Sequence, residues 1–432
     1  MGVKISGLTA KGATIADTDL VEVSQSAGAG LYTSRSVTGA NIKALVTDAN
    51  MTTSDITTND VSTAKHGFAP KAPNDTTKFL RGDGTWAVPA SGGLTEFTEL
   101  ETTAAPNATV PVNSLTPVTA TTDADFAIVP KGNGAILRQI PDNTTAGGNK
   151  RGSYAIDFGY LRSSASQVAS GSGATVLNGS NNTSSGSRSI TGGNLNTASG
   201  NYSVALGSTN TASNSTAVAF GVECTSSGDS AFSAGYSNTA SGNYSQAIGV
   251  LLTSSGIGST ALGYSNVANA DHSVTLGTRA NAFSVIGRQV FSSGQESTSG
   301  DSQASKFILR ERTTNNTATT ITTNSSAAGT TNQVILSNQS AYRFKGSIVG
   351  KQSGSVNAAV WDIDGFLVRG ANAAATTLNV SNVTLVENTP AWGTPTLAAD
   401  TTNGGLRVQV TGASATNIQW TAVIETTEVI YA

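Results

Sequence analysis

A glycine recurs every fourteen residues through the middle of the sequence, and this spacing constrains the fold more than any other feature. The glycine closes a short motif, Ser203-Val-Ala-Leu-Gly207, that is repeated with variations. A short fixed period is typical of one structural unit stacked on itself. Fourteen residues are too few for a helix pair or a propeller blade, so we predict one coil of a β-solenoid with two short strands. These index glycines are Gly179, Gly193, Gly207, Gly221, Gly235, Gly249, Gly263 and Gly277.

The residues before each index glycine alternate with a period of two, as a β-strand requires. The residue four positions before the glycine is small, from Thr175 to Ser273. The other half of the repeat, as at residues 196–200 and 238–242, is rich in Asn, Ser and Gly, which we expect at tight or left-handed turns. Larger apolar residues stand three positions before the glycine: Val176, Ile190, Val204, Val218, Phe232 and Val274.

Charged residues are nearly absent from the repeat, since residues 171–282 contain five of them. A sheet with one solvated face usually alternates apolar with charged residues. Here small residues line one side of the strand and larger apolar residues line the other. We therefore expect both sides to be buried, one inside the coil and one against a neighbouring copy of the chain. The pattern leaves open which row faces the coil interior.

The repeat resembles the head of trimeric autotransporter adhesins, the YadA-like left-handed parallel β-roll. The motifs at residues 203–207 and 259–263 match that family best, whereas Asn178 and Gly192 stand where it has an apolar residue. The resemblance implies a homotrimer in which three parallel chains surround a threefold axis.

Other segments resemble bacteriophage fibre proteins. Residues 5–9, 19–23 and 33–42 are similar to the N-terminal region of tail-fibre proteins, which implies that residues 1–60 attach to other phage tail or virion proteins. Residues 61–93 form a turn-rich segment that closely resembles one found repeatedly in phage tail and structural proteins.

Three further regions complete the predicted organisation. Residues 94–168 are interrupted by prolines and are predicted to form a neck, with a hairpin at 126–137. Residues 169–285 form the β-roll shaft. Residues 286–432 contain short strand-like runs, which predict an antiparallel β-sandwich tip. These runs include residues 306–310, 334–336, 342–350, 358–368, 376–386, 406–410 and 418–430. Within that tip, residues 401–412 and 418–423 resemble the terminal domain of other phage fibre proteins.

Composition argues against several classes of protein. The formal net charge is −3 and basic clusters are absent, so we expect no nucleic-acid partner. The chain has one cysteine, Cys224, which excludes an intrachain disulfide and is expected to be a small buried side chain. The first ten residues lack the apolar core of a secretory signal, and no segment has the length and hydropathy of a membrane helix. A surface autotransporter is therefore not expected.

Catalytic and metal-binding patterns are weak. The two histidines, His66 and His272, are far apart in the sequence and do not make a zinc pattern; His272 is expected at an outward or turn position. The roll carboxylates Glu223, Asp229 and Asp271 do not lie on adjacent coils in one row, as paired glycosidase carboxylates would need. Asp75 and Asp83 are expected to be structural.

The segment Asp362-Ile-Asp-Gly365 lacks the later ligands of a calcium loop, and we expect it to be a strand-edge turn. We predict no enzymatic activity, no metal site and no cofactor.

Trp392 is the candidate receptor-binding residue. It lies between Pro390 and Pro395 in an expected loop, where an indole ring could serve as a platform for a sugar or an apolar contact. The alternative is that Trp392 folds back and caps the sandwich.

Together these patterns predict an all-β, elongated homotrimeric fibre with a 14-residue-repeat left-handed parallel β-roll and a C-terminal antiparallel β-sandwich. The expected function is that of a phage tail fibre on the virion, whose tip binds a host cell-surface glycan or outer-membrane component through several weak contacts at once. One alternative is a capsid-attached head fibre or decoration protein with a purely structural role. Another is a capsule-degrading tailspike.

Overall fold

The computed structural model describes residues 20–26, 32–38, 40, 75–88, 97–102, 112–117 and 127–431. Nearly all regular structure in these ranges is β-strand, and a short 3-10 helix spans Ala373–Ala375. The chain divides into two compact units, Met1–Ala127 and Ile128–Ala432. The predicted all-β fold class is confirmed.

The N-terminal unit contains three antiparallel two-stranded ladders in its described residues. The first of these ladders pairs residues 20–26 with residues 32–38. The strands are β1 (Leu20–Ser26), β2 (Tyr32–Thr38), β3 (Phe79–Leu80), β4 (Trp86–Ala87), β5 (Phe97–Thr102) and β6 (Val112–Pro117).

The second unit begins with a parallel β-roll, in which each repeat supplies one long and one short strand. In chain order the strands are β7 (Ile136–Leu137), β8 (Ile156–Asp157), β9 (Thr175–Ser180), β10 (Thr183–Ser184), β11 (Ile190–Asn194), β12 (Thr197–Ala198), β13 (Val204–Ser208), β14 (Thr211–Ala212), β15 (Val218–Val222), β16 (Thr225–Ser226), β17 (Phe232–Tyr236), β18 (Thr239–Ala240), β19 (Gln246–Val250), β20 (Thr253–Ser254), β21 (Thr260–Tyr264), β22 (Val267–Ala268), β23 (Val274–Thr278) and β24 (Gln289–Ser293). The short strands form a sheet of seven, and the long strands form part of a sheet of sixteen. The predicted roll is confirmed.

The long strands pair in register, so each index glycine lies beside that of the next coil. The first coil departs from this rule. A register shift between β9 and β11 pairs Val176 with Thr191 and Thr175 with Ile190. The assignment of Val176 to the row of Ile190 was therefore wrong: one extra residue before Gly179 moves Val176 into the coil, where it is buried.

The small residues fill the inside of the coil. From Gly193 onward, positions two and four before the index glycine are fully buried, as at Ser203, Ala205, Ala217 and Ala219. Since successive strand residues point to opposite faces, the larger residues one and three positions before the glycine point outward. The structure thus settles which row faces the interior.

The prediction for the Asn-rich half of the repeat was partly wrong. Asn196 and Asn238 are buried. The left-handed backbone lies one residue earlier, at Leu195 (φ 57°) and Ser237 (φ 52°). A second left-handed position in each coil is exemplified by Tyr202 (φ 58°).

The C-terminal part is an antiparallel sandwich that continues the large sheet of the roll. Its strands are β25 (Ser302–Thr313), β26 (Ala318–Thr320), β27 (Val334–Ile335), β28 (Ser340–Gln352), β29 (Ala358–Arg369), β30 (Thr376–Asn388), β31 (Gly393–Asp400), β32 (Gly405–Thr411) and β33 (Ile418–Ile430). The first sheet has the order β30-β29-β28-β33-β25, and β25 pairs with β24 of the roll. In the second sheet β26, β27 and β31 pair with β32.

The two sheets of the sandwich enclose one apolar core. Its largest buried side chains include Trp361, Trp420, Tyr342 and Phe307. The rings of Trp361 and Trp420 lie 6.0 Å apart. The predicted antiparallel sandwich is confirmed, although β26 and β31 were not among the predicted strands.

Two local predictions were wrong. The expected hairpin at 126–137 does not form, because β7 pairs in parallel with β8 and so belongs to the sheet of the roll. The expected turn at residues 362–365 lies inside β29, where Asp364 forms an ion pair with Arg343 at 2.8 Å. The predicted region boundaries stay predictions, although the parallel sheet already begins at Ile136.

Candidate functional site

The outer face of the long strands is a broad apolar surface. We define this outer face as the residues one and three positions before the index glycine and one position after it, from Gly193 onward. On it Phe220 is 56 % exposed, Tyr236 48 % and Phe291, in the equivalent position of β24, 59 %. Scattered exposed apolar residues are ordinary, but contiguous rows of them mark an interaction surface.

The coil is too narrow to take these large side chains inside. At Gly207 the backbone φ is +120°, and a Cβ atom on this residue would overlap the carbonyl oxygen of Gly221 in the next coil. Because glycine has no Cβ atom, successive coils can approach to the spacing of a β-ladder, about 4.8 Å. Since the inward positions of the long strands hold small side chains such as Ala205 and Ala219, the large apolar residues of these strands are left on the outer face.

A buried ladder of asparagines holds the coils together, and it was not predicted from the sequence. The side chain of Asn210 donates to the carbonyl oxygens of Leu206 (2.9 Å) and Gly221 (2.7 Å). Its backbone N–H and side-chain amide also donate to the Asn196 Oδ1, each at 3.0 Å. The signal in the sequence was an Asn three positions after the index glycine: Asn182, Asn196, Asn210, Asn238 and Asn266.

Cys224 occupies one position of this ladder and is fully buried, as expected. Its Sγ lies 3.4 Å from the carbonyl oxygen of Gly235, a weak substitute for the asparagine amide. Burial raises the pKa of the Cys224 thiol. Because the thiolate is the reactive form, this environment favours a structural role for the side chain.

A buried charge cluster lies at the N-terminal end of the roll. Arg151 donates to Asp157 at 2.6 Å, and Arg162 donates to the same carboxylate at 3.3 Å. All three side chains are almost completely buried. Asp157 also accepts the backbone N–H of Gly159. These bonds fix the irregular segment that precedes the first regular coil.

A second buried ion pair joins the end of the roll to the sandwich. Arg288, just before β24, pairs with Glu428 of β33, and both side chains are fully buried. Arg288 also donates to Ser305 at 3.0 Å and lies over the rings of Phe283 and Phe307, at 5.4 and 5.2 Å. This pair links residues 140 positions apart in the sequence.

A groove of about 540 Å³ crosses the outer face where the roll meets the sandwich. Two parallel rows of side chains form it. The first runs from Phe291 across Ala304 and Thr427 to Arg343, and the second contains Lys306, Glu425 and Lys345. The small residues Ala304 and Thr427 form the floor of the groove, with the ring of Phe291 on one side and the basic side chains on the other.

Trp392 packs within the sandwich rather than on an exposed loop surface. It is 7 % exposed, and its ring meets that of Trp420 edge-on at 5.6 Å. The backbone N–H and carbonyl of Trp392 both bond to Asn388. This is the arrangement of the alternative in which the indole caps the sandwich. Receptor binding by Trp392 stays a prediction, with little exposed ring to support it.

The catalytic candidates are dispersed in the described part of the chain. His272 is exposed at a left-handed turn (φ 57°). Glu223 and Asp229 lie in one coil, on either side of β16, and Asp271 lies three coils further along. His66 lies outside the described residues. Within the described ranges, no group of three or more His, Cys, Asp or Glu side chains is arranged to hold a metal ion.

Asp75 and Asp83 each close a local turn. Asp75 accepts the hydroxyl and backbone N–H of Thr77, and Asp83 accepts those of Thr85. The hydrogen bond from the Thr77 side chain is the main reason that the pKa of Asp75 is lowered. In the part of the chain that the structure describes, no helix is long and apolar enough to span a membrane.

Comparison with known families points to the roll alone. The family model of the YadA head domain repeat matches twice, at residues 198–223 and 254–280. Both matches fall within the stacked coils described above. The roll is a YadA-like β-roll. No curated protein matches the sequence significantly.

The YadA-like motif coincides with the geometry that defines each coil. Both matched segments contain an inner row of small residues, an index glycine and the short strand that follows it. The matches leave the sandwich and the N-terminal unit uncovered, so the likeness concerns the roll and its outer face.

Proposed function

We propose that the protein is a homotrimeric fibre of a phage virion, a tail fibre that attaches the particle to the host bacterial surface. The observation that carries the proposal is a YadA-like roll with a continuous apolar outer face. Residues 1–60 attach the chain to other tail or virion proteins, and the C-terminal sandwich is presented to a surface glycan or outer-membrane component.

The outer face favours self-association because it has no charged residue over most of its length. From β13 to β23 it carries Val, Leu, Phe, Ile and Tyr, with polar Ser, Thr and Gln among them. Depletion of charge and enrichment of aromatic residues are typical of the centre of a protein–protein interface. Parallel copies would place equivalent coils at the same height, so the rows of each copy would meet along the roll.

Trimerisation would also make weak binding effective. Three linked copies of a tip raise the local concentration for the second and third contacts, so avidity exceeds the affinity of one tip by orders of magnitude. A fibre of this kind acts by non-covalent contact and needs no catalytic group.

Mass measurement by light scattering tests the trimer. We expect the full chain to be trimeric and Phe220→Lys to weaken or abolish the trimer, since it would bury an unpaired charge in the interface. Glu223→Lys is the matched control, because that neighbouring exposed position already carries a charge. A monomeric wild-type protein would contradict the proposed self-association.

Antibodies against residues 300–432 test the role on the particle. Gold label at the tail periphery together with blocked adsorption supports a receptor-binding tail fibre. Label on the capsid with normal adsorption favours the alternative of a head fibre or decoration protein. Release of reducing ends from host polysaccharide would instead indicate a capsule-degrading tailspike.

A further inference from the structure

The outer face changes its chemistry at the C-terminal end of the roll. Along the coils it is apolar, but across β25, β28 and β33 it acquires Lys306, Arg343, Lys345 and Glu425. The groove between these residues and Phe291 therefore combines an exposed aromatic ring with a surplus of positive charge. Three cations and one carboxylate line the groove, and with Asp364, which pairs with Arg343, the local net charge is +1.

The cations in this groove are unequally engaged. Arg343 pairs with Asp364 at 2.8 Å, and Lys345 lies 3.7 Å from Glu425. Lys306 stands opposite Glu425 in the ladder, yet it forms no ion pair within 4.0 Å in the described part of the chain. An amine in this position is available to an anionic ligand.

The register defines where a ligand would lie. Phe291 pairs with Ala304, and Lys306 pairs with Gln289, so Phe291 and Lys306 are diagonal neighbours on adjacent strands. Diagonal neighbours lie about 7–8 Å apart. Three strand spacings, about 14 Å, separate Phe291 from Arg343, and the small Ala304 and Thr427 leave that interval open.

We propose that this groove binds a carboxylate-bearing sugar residue of an acidic surface polysaccharide. The apolar face of the sugar ring stacks on Phe291 above Ala304, and its carboxylate accepts a hydrogen bond from the Lys306 ammonium. Arg343 and Lys345 attract the neighbouring acidic residues of the polymer. This proposal rests on the adhesive function proposed above and assigns a ligand class and a site to it.

Charge argues for a glycan rather than a second copy of the chain in this groove. Charged residues are depleted at the centres of protein–protein interfaces, and the outer face of the roll follows that rule up to Leu276. A pocket with an aromatic wall and a few convergent polar groups is typical of a small-molecule site, and about 540 Å³ is in the range of such sites.

Titration calorimetry on the full chain tests the proposal. The probes are oligosaccharides containing glucuronic, galacturonic or neuraminic acid, each compared with its carboxyl-reduced counterpart. We expect binding of at least one acidic probe, loss of binding on carboxyl reduction, and weaker binding at high salt. Phe291→Ala and Lys306→Gln should each weaken the affinity roughly tenfold.

Two further variants test the floor of the groove and the specific need for an aromatic ring at Phe291. Ala304→Phe fills the floor without removing a binding group and should also abolish binding. Tyr244→Ala removes an exposed ring from a turn of the roll, outside both the outer face and the groove, and should leave the affinity unchanged. Circular dichroism and the oligomeric mass should match wild type for every variant.

The contrary results are distinct. Equal binding of acidic and carboxyl-reduced probes, or unchanged affinity in Phe291→Ala and Lys306→Gln, overturns the site. A loss of trimer mass in these variants identifies the groove as a chain–chain interface and also overturns it. If the variants still bind host cells like wild type, the proposed adhesive function is retained and the groove is not the site that carries it. If wild-type protein does not bind host cells, the proposed function itself fails.

Discussion

Replacing one index glycine with alanine should test the stacking of the roll directly. Gly221 has φ +118°, and a Cβ atom there would overlap the carbonyl oxygen of Gly235. Holding a non-glycine residue in such a conformation costs about 1–3 kcal/mol. Relieving an overpacked contact costs a further 1–3 kcal/mol or so. We therefore expect Gly221→Ala to lower the free energy of unfolding by about 2–6 kcal/mol.

Urea denaturation followed by far-UV circular dichroism measures this loss, at one fixed protein concentration because association shifts apparent stability. Gly294→Ala is the matched control: no atom lies within 4 Å of its would-be Cβ, and its φ is not positive. We expect the control to change stability by less than about 0.5 kcal/mol. Equal effects of the two substitutions, or a loss below about 1 kcal/mol at Gly221, would refute the stacking argument.

Three further perturbations follow from the buried polar groups. Asn210→Ala leaves two backbone carbonyls of the ladder without their donor and should cost about 2 kcal/mol in urea denaturation, whereas Cys224→Ala in the same row should cost clearly less. Glu428→Gln leaves the Arg288 guanidinium buried without a countercharge and should lower the free energy of unfolding by about 3–5 kcal/mol. The double variant with Arg288→Met should recover part of this loss. Fully additive effects of the two substitutions would contradict this coupling. Burial, with the nearby Glu428 carboxylate, raises the pKa of Tyr342 to about 12, above its unfolded value of about 10. The contribution of the protonated Tyr342 to stability is therefore present below about pH 10 and is lost as the pH rises to about 12. Tyr342→Phe should flatten that part of the stability–pH curve, and an unchanged slope would show that another group is responsible.

Much of the roll could be predicted because its information is local and repeated. The spacing of residues such as Gly207 and Gly221 predicted the coil, and the alternation around Ser203 and Val204 predicted the long strand. The alternating runs of the sandwich likewise predicted β25, β28 and β33, because strand periodicity depends on neighbouring residues alone.

The errors have physical causes that local patterns do not carry. Asn is common at turns, so Asn196 was predicted there. Its burial depends on carbonyl groups supplied by its own coil, at Gly192, and by the next coil, at Gly207. Val176 changed rows because one extra residue in β9 shifts every side chain that precedes it. The loop predicted around Trp392 is present between β30 and β31, but the sequence left open where the ring lies, because its packing depends on Trp420 of another strand, β33.

The outer face of the roll and the groove also differ in how much of each could be predicted from the sequence. The low charge of the repeat predicted an interaction face on the roll. Which row of side chains forms that face is decided only when the coil closes around its small residues. The groove was not predicted, because Phe291, Lys306 and Lys345 come from different strands and meet only through strand pairing.

By itself the sequence determined that this chain stacks fourteen-residue coils, because a strict period and its glycines admit few other folds. Tertiary structure alone decided which side chains face inward, where Arg288 meets Glu428, and how the parallel roll passes into an antiparallel sandwich at β24 and β25. The physical reason is that periodicity is a property of neighbouring residues, whereas facing, burial and charge pairing depend on contacts between residues far apart in the chain.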